Sequence, residues 1–124
     1  MRKVLILICL LISATNIVNA ANWVEITYKA YIDLNSYKRE GRYTSAWFKS
    51  LNRGDWELIK GKKVWYNISL FKADCTSKTI QILSTADYDL NGKLIDSIDS
   101  DIGSRFFQVA PDTVGEIRYN ALCN

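Results

Sequence analysis

Asp87-Tyr88-Asp89-Leu90-Asn91-Gly92 is the stretch whose residue types first suggest chemistry, with oxygen-bearing side chains at alternate positions and a glycine in sixth place. The calcium loop of an EF-hand opens this way, the glycine allowing a sharp turn between ligands. The match then fails. The twelfth position, where a bidentate Glu closes the coordination sphere, is Ile98, and the residues before Asp87 have strand rather than helix composition. Asn91-Gly92 between two apolar runs is instead a strong hairpin signal, since both residues tolerate the positive φ of a type I′ turn. A turn accounts for the same residues, so no metal and no other cofactor is expected.

Catalytic machinery is equally sparse. The chain has no histidine, which excludes serine–histidine and cysteine–histidine mechanisms. Asp96 and Asp99 are the nearest thing to an acid–base pair, but acids beside Ser97 and Ser100 fit a solvated loop. No catalytic residue is assigned, and the chain is not expected to be an enzyme. Asn67-Ile68-Ser69 fits a glycosylation acceptor yet falls in the middle of a strand, and it carries little weight.

A binding role has a better candidate. Trp56 lies in a glycine-bracketed connection among Arg53, Lys60, Lys62 and Lys63. An exposed aromatic ring among cations suits a protein-binding anchor. The alternative is that Trp56 folds back over a sheet while the lysines solvate the loop. Trp23, Trp47 and Trp65 fall in strand-like segments and fit half-buried sheet positions.

The elements that must position these residues begin after residue 20. Arg2 and Lys3 precede nine apolar residues, Val4 to Ile12, and a more polar run ends Val18-Asn19-Ala20. This reads as a signal peptide over residues 1–20, because the apolar run is too short to span a membrane and small residues suit cleavage after Ala20. Cys9 lies inside the apolar run after Ile8, so no lipid anchor is expected. The mature domain is residues 21–124, without a transmembrane segment. Cleavage removes two of 16 basic residues and leaves 14 against 13 acidic ones, a net charge of +1. So small a charge gives no reason to expect nucleic acid as a partner. Two cysteines remain, Cys75 and Cys123, and an even count in an exported chain reads as a disulfide.

Aromatic and β-branched runs predict about six strands: two between Asn22 and Leu34, then Arg42–Lys49, Lys62–Cys75, Thr79–Tyr88 and Lys93–Ile98. In the longest, Val64, Tyr66, Ile68 and Leu70 are expected to face the core. A helix follows Pro111, with Thr113 and Glu116 at the spacing of a capping box and Val114, Ile117, Ala121 and Leu122 as its apolar arc. The expected fold class is α+β: an antiparallel sheet with a C-terminal helix packed on it and one disulfide.

The mature chain resembles the surface-adhesin E family of small exported bacterial proteins. The matching pieces are Asn22-Trp23-Val24-Glu25-Ile26, Tyr31-Ile32-Asp33-Leu34-Asn35-Ser36, Ala73-Asp74-Cys75, the Tyr88 to Gly92 hairpin, and Pro111-Asp112-Thr113-Val114-Gly115-Glu116 leading to Cys123. The resemblance implies an antiparallel sheet covered by a C-terminal helix, with the family's two cysteines at Cys75 and Cys123. It also implies adhesion, that is, binding of host extracellular matrix or plasma proteins. The best-known adhesin type is a surface lipoprotein, and this chain departs from it in lacking a lipobox cysteine. An exported, periplasmic or secreted protein-binding module is the leading expectation. A proteinaceous inhibitor of a host or competitor enzyme, and a periplasmic envelope-maintenance protein, are the alternatives.

Overall fold

The computed structural model describes residues 20–52, 58–99 and 105–124. Among them are ten strands and one α-helix: β1 Trp23–Thr27, β2 Ala30–Asp33, β3 Lys38–Glu40, β4 Tyr43–Leu51, β5 Leu58–Ile59, β6 Lys62–Lys63, β7 Tyr66–Asp74, β8 Thr79–Tyr88, β9 Leu94–Asp99, β10 Phe107–Gln108 and α1 Val114–Cys123. Eight strands form one antiparallel sheet in the order β1-β2-β4-β7-β8-β10, with β3 also beside β4 and β9 also beside β8. The short pair β5–β6 stands apart as a two-stranded hairpin. The expected architecture is present, with more strands than six because several short ones exist only through pairing with a long neighbour.

The core lies between α1 and one face of the sheet. Strand side chains alternate between faces. On the helix side the buried residues are Thr44, Ala46 and Phe48 in β4 and Ser69, Phe71 and Ala73 in β7, and Asp74 at the end of β7 is buried as well. This corrects the expectation for β7: Tyr66, Ile68 and Leu70 face away from the helix, and only Val64, which precedes the strand, is buried. Both faces of β7 are apolar, so alternation alone could not say which turns inward. Small side chains at Ala46 and Ala73 instead let the helix approach the backbone, while Phe48 and Phe71 meet edge to face at 5.5 Å.

Helix α1 starts where the capping residues place it. Thr113 is the N-cap in extended conformation, its hydroxyl accepting from the Glu116 N–H at 3.3 Å. The Glu116 carboxylate in turn accepts from the Asp112 N–H at 3.4 Å, closing the reciprocal pair one residue early. The buried face matches the expected arc in part, through Leu122 and Ala121. Tyr119 and Leu122 are the fully buried positions, and Arg118 joins them by lying over the Phe71 ring at 4.7 Å and donating to Ser50 Oγ at 3.1 Å. Val114, Ile117 and Ala121 are only half-buried. Tyr119 belongs inside because its hydroxyl has a partner there, the Cys75 carbonyl at 3.3 Å.

Cys75 and Cys123 form the expected disulfide, with Cα atoms 5.5 Å apart across 48 residues of sequence. It ties the last turn of α1 to the end of β7.

Candidate binding surface

The described part of the basic connection, residues 58–63, is a hairpin. Leu58 pairs with Lys63 and Ile59 with Lys62, and the two turn residues, Lys60 and Gly61, have φ of 52° and 72°. Positive φ at both positions is the type I′ pattern expected for Asn91-Gly92. At Asn91-Gly92, by contrast, only Gly92 is left-handed, at φ 75°. Its N–H donates to the Asp89 carbonyl at 3.0 Å, and the Asp89 side chain accepts from the Asn91 and Lys93 N–H groups at 2.9 Å each. The carboxylate that would have been a calcium ligand is therefore turned onto its own loop. Among the described residues no group of three or more metal-binding side chains converges.

Of the sequence-predicted binding residues, Arg53 and Trp56 lie outside the described residues. Lys60 is engaged: its Nζ lies 3.2 Å from Asp96 Oδ1, tying the hairpin to β9. Lys62 and Lys63 sit exposed on the strand leading back to β7. Asp96 and Asp99 are not brought together, since Asp96 opposes Asp87 across the sheet, Asp99 opposes Ser84, and three residues of separation put them on opposite faces. Beside the hairpin, at the ends of β4 and β7, is a hollow of ≈ 120 Å³ lined by Ser50, Asn52, Val64, Trp65, Tyr66 and Asn67. Asn52 holds its wall by donating from its side-chain amide to the Val64 carbonyl at 3.0 Å and from its N–H to the Trp65 carbonyl at 2.8 Å. Small-molecule sites usually enclose ~300 Å³ or more, so this hollow is undersized for one.

A larger surface escaped the sequence reading: the sheet face opposite α1. Cross-strand register places Trp47, Lys49, Ile68, Leu70 and Tyr66 there, with Tyr31 of β2 and Tyr88 of β8 on either side. These side chains are half-buried by one another, whereas the fully buried core lies on the helix side. Lys49 Nζ lies 4.6 Å from the Tyr66 ring centre and 5.7 Å from that of Trp23. The Tyr66 and Tyr88 rings stack at 4.8 Å and 10°. Toward the other end Lys72 Nζ sits 4.7 Å from the Tyr43 ring. The signal was available: Tyr31, Trp47, Lys49, Tyr66, Tyr88 and Lys72 are aromatic or cationic residues at alternate positions of their strands.

The strongest electrostatic perturbation is a corner of the scaffold. Asp74 is 4% exposed and is held by the Arg42 guanidinium through Nε at 2.9 Å and through Nη2. That hydrogen-bonded pairing, reinforced by the Ser77 and Thr76 N–H groups, keeps the Asp74 carboxyl far below the usual range against the opposing effect of burial. The Lys38–Glu40 pair on β3 raises the one and lowers the other through a 2.7 Å contact in full solvent.

The described residues thus form a small sheet-and-helix domain with a covalent tether and a broad aromatic face on the open side of the sheet. The chain belongs to the surface-adhesin protein E family, whose sequence profile matches residues 23–124. Two solved structures of Haemophilus influenzae protein E share the fold. Its selenomethionine form superposes with a TM-score of 0.58 at 13% identity, covering 82% of this chain and 84% of that one. A second crystal form gives 0.59 at 12% identity, covering 82% and 86%. No curated protein sequence matches significantly.

Proposed function

We propose that the chain is exported and serves as a non-enzymatic, adhesin-like protein-binding module, with a host extracellular matrix or plasma protein as its class of partner. The observation that carries this reading is membership of the surface-adhesin family across residues 23–124. The positively charged start and short apolar run of residues 1–20 support export through a cleaved signal peptide. No helix among the described residues is long and apolar enough to cross a membrane. The basic connection that contains Arg53, Trp56, Lys60, Lys62 and Lys63 remains a candidate contact.

The test is a pair of measurements on the natural host cell. Protease accessibility on intact cells and in culture supernatant should find the mature protein outside the outer barrier, and purified protein should bind immobilised matrix proteins saturably. Confinement to the periplasm, or no binding across a panel of matrix and plasma proteins, would refute the reading. Trp56→Ala should weaken that binding with the thermal midpoint unchanged if Trp56 is an anchor. Equal loss of both would mean that it packs on the sheet instead.

A further inference from the structure

We infer that the sheet face opposite α1 is a docking surface for a protein partner that presents carboxylates around an apolar centre. This deepens the binding reading above and rests on it, assigning the contact to a face rather than to the hairpin. The apolar centre is Trp47, Ile68 and Leu70, on the two middle strands. Aromatic side chains flank it on β2, β7 and β8, which is the composition of an interface core rather than of an idle solvent face.

The charge on this face decides the occupant. Lys49 and Lys72 stand among these rings, and neither lies within salt-bridge distance of a described carboxylate; the nearest influence on Lys72 is Glu40 of β3, which is itself paired with Lys38. A partner that covered the face with apolar surface alone would strip water from both ammonium groups and leave them without a carboxylate at salt-bridge distance, a cost that offsets part of the gain from burying the rings. Carboxylates on the partner remove that cost. Lys72 opposes Ser45, four rungs along β4 from Lys49, so the backbone positions of the two lysines lie ~14 Å apart at a strand rise of ~3.4 Å per residue, and the ammonium groups lean outward from there, toward Tyr66 and Tyr43. The partner's acidic groups should therefore flank its apolar centre at that spacing or wider.

The same geometry argues against two other occupants. A sugar ring needs an open aromatic face, but Tyr66 and Tyr88 stack on each other, and Lys49 occupies the other side of Tyr66. A second copy packed face to face would bring its own Lys49 and Lys72 toward these; the carboxylates this face offers lie at its margins, Glu25 opposite Tyr31, Glu40 opposite Tyr43 and already paired with Lys38, and Asp99 opposite Ser84, while Asp74 on the middle strands is held by Arg42.

The test uses the full mature protein over two immobilised probes, poly-L-glutamate and heparin, with the variants K49E/K72E and K62E/K63E. Thermal midpoints close to wild type confirm folding, and K49Q/K72Q serves if charge reversal unfolds the domain. Wild type should bind poly-L-glutamate in a salt-sensitive way. K49E/K72E should lose about tenfold or more of that affinity, while the hairpin variant loses less than about twofold. The inference is overturned by equal binding of wild type and K49E/K72E, or by loss only in K62E/K63E. It is also overturned if Lys49 and Lys72 support heparin binding in preference to poly-L-glutamate, or if sedimentation shows a dimer that K49E/K72E dissolves. If wild type binds matrix proteins and K49E/K72E binds them equally well, the face assignment fails and the adhesin reading survives. If wild type binds none of them, the adhesin reading itself has failed.

Discussion

Removing the Cys75–Cys123 cross-link should lower stability while leaving the native structure in place. In C75A/C123A the helix keeps its buried contacts through Tyr119 and Leu122 and the Arg118 bond to Ser50, so the folded state loses little. The unfolded chain, however, gains the freedom that a closed loop spanning 48 residues denies it. The chain-entropy relation puts that gain at ~4 kcal/mol. A domain of this size has ~5–15 kcal/mol in total, and ~1 kcal/mol moves its midpoint by ~4–8 °C, so the variant should melt ~15–30 °C lower. Far-UV circular dichroism at 25 °C should still show the helix, and the denaturant m-value should rise slightly because the unlinked chain exposes more surface. Reduction of the wild type should reproduce the same midpoint. A drop of less than ~4 °C, or loss of the helical signal with the sheet intact, would refute the reasoning: the first would mean that the cross-link constrains no unfolded freedom, the second that packing cannot hold α1 alone.

Asp74→Asn should destabilise the protein most at neutral pH. The Asp74 carboxyl is depressed in the folded state, so its contribution is fully present above the ordinary aspartate value of ~4 and disappears as pH falls through the folded value. The gap in thermal midpoint between wild type and variant should therefore narrow steadily as pH falls from about 4 to 2, and a constant offset would contradict the ionic role. Thr113→Ala removes the N-cap acceptor and should cost ~1 kcal/mol by urea denaturation, most of it restored by Thr113→Ser. Gly92→Ala leaves the new Cβ 3.8 Å from Tyr66 Oη, so space is available and the cost is the left-handed backbone, ~1–2 kcal/mol. Gly92→Asn should cost measurably less in the same assay.

The strands rich in β-branched and aromatic residues were legible because intrinsic preference and pairing agreed, and Thr79–Tyr88 appears with its expected bounds. The faces of β7 were not, because Tyr66, Ile68 and Leu70 on one side match Phe71 and Ala73 on the other in apolarity. One clue was present in the chain itself. Cys75 has the same parity as Phe71 and Ala73, and a cysteine bonded to the helix must lie on the helix side. The helix face was legible only in part, Leu122 and Ala121 meeting the core as expected: Arg118 and Tyr119 share the buried side by helical spacing, but a cation and a phenol do not register as apolar. The aromatic face went unseen because it is assembled from five strands that only tertiary register brings side by side.

The residues that carry the family resemblance turn out to hold the frame. Asp33 is buried and accepts from the N–H groups of Asn22 at 2.8 Å and Asn35 at 3.0 Å, pinning the entry of the chain. Ser36 donates to the Asp33 carbonyl and accepts from the Trp47 N–H, each at 2.8 Å, bridging the break between β2 and β3. Asp74 closes the turn before Cys75 by accepting from the Thr76 and Ser77 N–H groups at 3.0 and 3.1 Å, and Thr113 caps the helix. Each of these side chains makes hydrogen bonds within the domain that hold the frame, which accounts for them without a partner. Two proteins can therefore share this frame at 12–13% identity without sharing what they bind. Specificity has to reside in residues the frame leaves uncommitted, and Lys49 and Lys72 on the open sheet are such residues.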